Sequence, residues 1–313
     1  MGARAAKNYI FNKPLCVSFE ITYSCNAHCK HCHLGGPAEE TRASASTLGK
    51  ICRDIRPVIA QLSGGEPLLR PDVDDIAREF RRQSRPPVIA VTTNGALLSL
   101  RRYLELRDAG VDEFSVSLDY PDERHDEFRG IPGLFGKIRT LVRSVGSTKA
   151  PSVTLCCVIQ SDNFRELVRI AELARRWNVR LNYSAYTTLR THDTGYMLSS
   201  EQLEELRAVV KDLVAFRNRY RTIYTSEYVF EKICDYFASG SMAGCRTGYR
   251  FFNVNPNGKV TPCGLIATEY EDQKDLQDRF CRKNTCSECC TSIRAHTEKP
   301  IRHVLRDSLE YVH

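Results

Sequence analysis

The segment Cys25-Asn-Ala-His-Cys29-Lys-His-Cys32 places three thiols at C-x3-C-x2-C spacing, directly after an apolar, strand-like run. Three thiolates can hold three corners of a cubane iron–sulfur cluster and leave its fourth iron without a protein ligand. A metal with a vacant position does chemistry and a fully ligated one is structural, the distinction that separates catalytic from structural zinc. Zinc is the competing occupant, with His28, His31 or His33 able to complete a tetrahedral set. A second group lies downstream: Cys245 and Cys263 flank a hairpin-like stretch, followed by Cys286-x2-Cys289 and the adjacent Cys290. Four thiolates from a hairpin and a C-x2-C pair can make one closed site, for a cluster or for structural zinc. Cys281 and Cys290 are the alternates for an assigned member of that set.

The chain around these groups has 313 residues, of which 42% are hydrophobic and 27% charged, proportions of a globular protein able to bury a substantial core. Disulfide scaffolds belong to short exported chains, so 14 cysteines without an export signal point to metal in a reducing, cytoplasmic setting. No apolar run is long enough to span a bilayer. The net charge of +7 includes clusters at Arg78, Arg81, Arg82 and Arg85 and at Arg217, Arg219 and Arg221. Such clusters are mostly solvated helix faces; the functional alternative is an acidic partner, including peripheral contact with an anionic membrane. Nucleic acid is not expected, since the basic residues are dispersed and no reader motif accompanies them.

Strand-like and helix-like segments alternate up to about residue 218. Strands are expected at Leu15–Tyr23, Val58–Leu62, Val88–Thr93, Glu113–Leu118, Ser152–Ile159 and Arg180–Ser184. Amphipathic helices are expected at Arg101–Ala109, Leu134–Val145, Phe164–Trp177 and Glu201–Phe216, with starts at Asn163 and Ser199. Six such units predict an α/β fold, a parallel sheet curled into a partial (β/α)6 TIM-like barrel with chemistry at the carboxyl ends of its strands. The rhythm breaks near Gly240. Asn255-Pro-Asn-Gly258 then reads as the turn of a hairpin, inside a small Cys-rich C-terminal domain. The expected divisions are 15–225 for the barrel, 240–295 for the Cys-rich domain and 296–313 for a closing helix.

The strand ends add a consistent series. The second ends Ser63-Gly64-Gly65-Glu66-Pro67, where two glycines let backbone approach a ligand and a carboxylate can receive an ammonium. The third ends Thr92-Thr93-Asn94-Gly95, the fourth Ser115-Val-Ser117-Leu-Asp119, and His125-Asp126-x-x-Arg129-Gly130 follows. Together with the first cysteine group, this order resembles the radical S-adenosylmethionine (SAM) superfamily. Within it, the resemblance is to the SPASM/Twitch branch, near 2-deoxy-scyllo-inosamine dehydrogenase, the molybdenum-cofactor cyclase and the peptide maturases. The resemblance implies that Cys25, Cys29 and Cys32 hold a [4Fe–4S] cluster whose free iron chelates SAM. Reductive cleavage of SAM then gives a 5′-deoxyadenosyl radical that abstracts hydrogen from an unreactive carbon. It also implies that Gly64, Gly65 and Glu66 hold the SAM amino group, that Asn94, Ser117 and Asp119 contact the rest, and that Arg129 pairs with its carboxylate. His31 stands at a usually aromatic cofactor position and Tyr120 where glycine often follows Ser-x-Asp. The fifth strand, ending Val158-Ile159-Gln160, lacks the family's Gly-x-Ile-x-Gly pattern.

The resemblance further implies that Cys245, Cys263, Cys286 and Cys289 bind one auxiliary [4Fe–4S] cluster, a closed relay for electrons. A flavodoxin- or ferredoxin-type protein is the implied electron donor. Tyr183, Tyr186 and His192 are expected to line the substrate mouth, His192 as an acid–base candidate. Cys16, Cys52, Cys156, Cys157 and Cys234 read as small buried apolar residues. The residues before Leu15 are too few for a peptide-recognition domain, which favours a small-molecule substrate over a ribosomal peptide. A non-catalytic, zinc-stabilised binding protein is the reading from another class.

Overall fold

Alternating apolar and polar residues commit each strand to one face covered by helices and one facing a lumen. In β1 (Cys16–Thr22), Val17, Phe19 and Ile21 are fully buried on the helix side, and Ser18 and Glu20 face the opposite way. The same alternation organises β2 (Ile59–Gly64), β3 (Val88–Thr93), β4 (Glu113–Ser117), β5 (Val153–Ile159) and β6 (Arg180–Ala185). In the computed structural model, which describes residues 2–146, 152–189 and 191–310, these six strands pair in parallel and in sequence order. The lumen they enclose is polar. Ser18 and Ser63 hydroxyls share a bond of 2.6 Å, Gln61 donates to Thr92 at 2.7 Å and Thr154 donates to Glu113 at 2.6 Å.

The expected hairpin forms as β7 (Phe251–Val254) and β8 (Val260–Thr261), antiparallel to each other. It does not stand apart from the barrel. β7 pairs in parallel with β1, Cys16 opposite Phe251 and Phe19 opposite Val254, so one eight-stranded sheet runs β6-β5-β4-β3-β2-β1-β7-β8.

Helices in chain order are α1 (Gly2–Ile10), α2 (Ala45–Ile55), α3 (Val73–Arg81), α4 (Leu100–Asp108), α5 (Arg124–Arg129) and α6 (Leu134–Gly146). They continue with α7 (Leu167–Arg176), α8 (Ser200–Tyr220), α9 (Glu227–Ser239), α10 (Gln273–Arg279), α11 (Ser292–Thr297) and α12 (Ile301–Glu310). Residues 311–313 of the expected closing helix lie outside the described residues. Ser199 starts α8 with a reciprocal capping box to Gln202. Asn163 does not cap its helix. Its side-chain amide instead donates to the Asp119 carbonyl at 3.1 Å and the Val158 carbonyl at 2.8 Å, tying β5 to the end of β4. On the open side of the barrel, α11 packs against both β6 and β7. There Asn182 donates to Ser292 at 2.8 Å and contacts His296 Nε2 at 3.2 Å. Among the described residues no helix is long and apolar enough to cross a membrane.

Candidate functional site

The loop carrying Cys25, Cys29 and Cys32 leaves the carboxyl end of β1 and is held on both sides. Cys25 N–H donates to the Gly36 carbonyl at 2.9 Å and closes the loop upon itself. His28 N–H donates to the Arg129 carbonyl at 3.0 Å and Lys30 N–H to the Phe128 carbonyl at 3.1 Å, which seats the loop against α5. Cys29 is buried, Cys25 and Cys32 partly so. Burial pushes the Cys25 and Cys29 thiols up, so a metal binding there displaces their protons. Among the described residues no three Cys, His, Asp or Glu side chains converge on a position for one metal ion.

Gly64 and Gly65 approach backbone before any ligand. An added Cβ would lie 2.0 Å from the Thr22 carbonyl at Gly64, where φ is +127°, and 2.2 Å from the Ser24 carbonyl at Gly65. They let the end of β2 pack directly on the root of the cysteine loop. The Glu66 carboxylate, expected to receive an ammonium, is fully buried and already engaged. It accepts from Thr93 Oγ1 at 2.7 Å, Asn94 N–H at 2.8 Å and Leu68 N–H at 3.1 Å. Burial pushes this carboxyl up to about 7 against the pull of those three bonds. Asn94 in turn donates to Asn26 in the cysteine loop at 2.8 Å. Glu66 therefore locks the ends of β2 and β3 to the loop.

Arg129, expected to meet a ligand carboxylate, already has one. Its guanidinium pairs with Asp119 at 2.6 Å and donates to Cys29 Sγ at 3.5 Å. Asp119 is fully buried; burial works against its charge, but Arg129 beside it holds the carboxyl below the usual range. Its other oxygen accepts from Val158 N–H at 3.1 Å. His31 stacks on Phe128 with centroids 4.9 Å apart, and burial drives its imidazole down to about 4, keeping it neutral. Ser117 ends β4 two residues before Asp119. His31 Nδ1 finds no partner among the described residues. Buried polar atoms are rarely left unpaired, so this one suits a polar ligand beside the triad.

Cys245, Cys263, Cys286 and Cys289 all line one cavity of about 180 Å³, together with Ser18, Glu20 and Asn253 from the lumen. Glu20 accepts from Asn253 Nδ2 at 2.9 Å, joining β1 to β7 at its wall. Cys281 and Cys290 do not line it: Cys281 Sγ donates to the Thr247 carbonyl at 3.2 Å and Cys290 is fully buried in the core. Burial pushes Cys245 up to about 11 and Cys263 up to about 12. Arg294, which the sequence reading did not single out, is fully buried beside this group. It donates to the Cys289 carbonyl at 2.8 Å and to Cys289 Sγ at 3.6 Å, and pairs with Glu298 at 3.2 Å. Its sequence signal was the i,i+4 Arg–Glu spacing directly after the last cysteines.

The three substrate-mouth candidates separate. Tyr183 is on the helix side of β6, fully buried, its hydroxyl donating to the Leu167 carbonyl at 2.6 Å. That removes it from the lumen. Tyr186 shares its hydroxyl with Thr191 at 2.7 Å and donates to the Asp193 carbonyl at 2.9 Å, folding the segment after β6. His192 lies in that segment, exposed, in left-handed backbone with φ of 56°. The segment reaches both cysteine groups. Tyr196 meets Phe128 edge-on at 6.1 Å, while Leu189 lines the four-thiol cavity and Thr187 donates to the Glu288 carbonyl at 3.1 Å.

Residues 19–174 match the sequence profile described as the Radical SAM superfamily. The AdoMet-dependent heme synthase of Methanosarcina barkeri is 29% identical over 282 residues, covering 82% of this chain and 78% of that protein. The PqqA peptide cyclase of Rhodopseudomonas palustris is 29% identical over 271 residues, covering 82% and 69%. Among solved structures, Streptococcus suis SuiB bound to S-adenosylmethionine superimposes with a TM-score of 0.68 at 17% identity, covering 88% of this chain and 67% of SuiB. At that identity the likeness is one of fold.

Proposed function

Because the chain belongs to the radical SAM superfamily through residues 19–174, we propose that it reductively cleaves S-adenosylmethionine to take hydrogen from an unactivated carbon of a small molecule. When bound, a [4Fe–4S] cluster on Cys25, Cys29 and Cys32 supplies the electron for that cleavage through its unligated iron. The chain's own residues do the positioning. Glu66 and Asn94 fix the cysteine loop against β2 and β3. Arg129 keeps a neutralised positive charge on Cys29. His31 holds an unpaired polar atom for the ligand's edge, with Ser117 at the end of β4. The four-thiol cavity suits an auxiliary cluster with every iron ligated, an electron acceptor for the substrate and not its binding site. A flavodoxin- or ferredoxin-type donor fits the single-electron demand.

One observation carries the reading: the segment after β6 touches Phe128 beside the triad and lines the four-thiol cavity, so a molecule under it would lie between the two groups. Oxidation of such a molecule by two electrons uses both. The test is anaerobic turnover with dithionite, following 5′-deoxyadenosine and the auxiliary cluster's EPR signal for each substrate class. A substrate-dependent reduced signal supports the relay; product formation undiminished in Cys286→Ala/Cys289→Ala refutes it. A peptide substrate is the second reading, favoured by the 29% identity to a peptide cyclase. Metabolite comparison of a knockout with its parent separates the two. Colourless protein with stoichiometric zinc would exclude both.

A further inference from the structure

The amino ends of the strands form a face that the chemistry above does not use. Arg4, Lys7, Lys13, Arg53, Arg56 and Arg85 line one cavity there, with Asp54 the single carboxylate among its lining residues. Lys13 precedes β1, Arg56 precedes β2 and Arg85 precedes β3. The same face continues under β4 to β6 with Arg107, Arg175, Arg180 and Arg221. Its acids are largely answered: Asp54 pairs with Lys50 at 3.0 Å, and Asp112 pairs with Arg81. Among the described residues Lys7, Lys13, Arg56 and Arg85 have no carboxylate partner. Their charge is free to act outward.

Two large apolar side chains interrupt this cationic face. Ile10 and Phe11, at the end of α1 between Lys7 and Lys13, are 71% and 64% exposed. Lone exposed apolar residues need no account, but an adjacent pair flanked by Lys7 and Lys13 does; Phe11 also lines a cavity with Lys13, Lys274, Asp54, Glu271 and Asp272, whose acids are engaged by Lys50, by Lys259 and by the start of α10. Basic residues around a protruding apolar pair are the construction of a peripheral membrane contact: the cations meet anionic headgroups and the apolar pair enters the acyl boundary. A nucleic acid would gain nothing from Ile10. A redox protein docked here would stand on the far side of β1 from the triad, about 20 Å of strand away.

We propose that this face docks on an anionic phospholipid surface, leaving the carboxyl-end mouth turned away from the membrane and open to substrate and electron donor. The full chain is tested by cosedimentation with phosphatidylcholine vesicles with and without phosphatidylserine. Expected is binding only to the phosphatidylserine vesicles, lost on raising salt. Each of Lys7→Glu, Lys13→Glu, Arg56→Glu and Arg85→Glu should weaken it by about fivefold or more. Ile10→Ser/Phe11→Ser should weaken it at low salt, with the thermal melt and 5′-deoxyadenosine formation little changed, because both side chains are mostly exposed. Equal binding to both vesicle types, no binding at low salt, or indifference to the charge reversals would overturn the proposal. So would tighter binding to a labelled polynucleotide that the Ile10→Ser/Phe11→Ser variant leaves intact.

Discussion

At the end of β1 three thiols share one loop and one buried arginine, Arg129, which donates to Cys29 and is neutralised by Asp119. At the hairpin four thiols from separate segments share another, Arg294, which donates to Cys289 and is neutralised by Glu298. The surroundings differ as much as the ligand counts. In the triad loop, His31 keeps a buried polar atom without a partner among the described residues; none of the residues lining the four-thiol cavity does. On the proposed reading, the contrast teaches how a single chain would keep one metal group receptive and the other sealed. The receptive one lacks a fourth thiol and retains unspent hydrogen-bonding capacity, and the sealed one has neither vacancy.

The sharpest way to break that contrast is to equalise the ligand sets. Cys32→Ala should abolish 5′-deoxyadenosine formation, with iron falling from about eight atoms per chain to about four. In Cys286→Ala/Cys289→Ala iron should fall similarly, yet 5′-deoxyadenosine should still form while product is lost. Iron analysis and chromatography of the quenched reaction separate the two outcomes. If both variants lose SAM cleavage alike, the division of labour is wrong.

The arginines sharpen the comparison next. Arg294→Met leaves the Glu298 carboxylate with the Arg246 N–H but no cation inside the protein, and should cost about 3 kcal/mol in denaturant unfolding. In anaerobic titration it should shift the potential of the auxiliary cluster and not that of the triad cluster; Arg129→Met should do the reverse. Gly65→Ala tests the loop's seat on β2. Its new Cβ would meet the Ser24 carbonyl at 2.2 Å, so a loss of about 3 kcal/mol and impaired cluster incorporation are expected.

The smallest effect concerns pH. Burial drives His296, beside Asn182 under the lumen, down to about 3 from its ordinary 6.5. A base depressed in the folded state contributes stability above the unfolded value and loses it as pH falls through the window from 6.5 toward the folded value. His296→Asn should therefore flatten the acid side of the stability profile by at most about 1 kcal/mol per pH unit, read from unfolding midpoints between pH 7 and 5.

Period-two patterning made the strands legible, because each strand's apolar set had a single face to occupy. Cysteine spacing made the triad and the Cys286–Cys289 pair legible for the same local reason: C-x2-C and C-x3-C fix neighbours without help from the fold, whereas Cys245 and Cys263 join that pair only through the hairpin. What stayed hidden is set by long-range contact. Nothing near Glu66 announces that Thr93 and Asn94 will consume its carboxylate, and nothing near Arg129 announces that Asp119 will be its partner. Tyr183 was placed at the mouth by its position in the chain, whereas pleat parity sends it to the helix side. The attachment of the hairpin to β1, and the closure of the barrel by α11, depend on residues more than two hundred positions apart in the first case and about a hundred in the second.

That attachment makes β1 an interior strand whose two neighbours come from opposite ends of the chain. The strand that feeds the triad loop is thus clamped by the strand that leads toward the four-thiol wall, so β1 and β7 tie the roots of the two thiol groups together. A chain cut before the hairpin would bare the backbone edge of β1, a ready template for intermolecular strand pairing, so the C-terminal segment doubles as the barrel's guard against self-association.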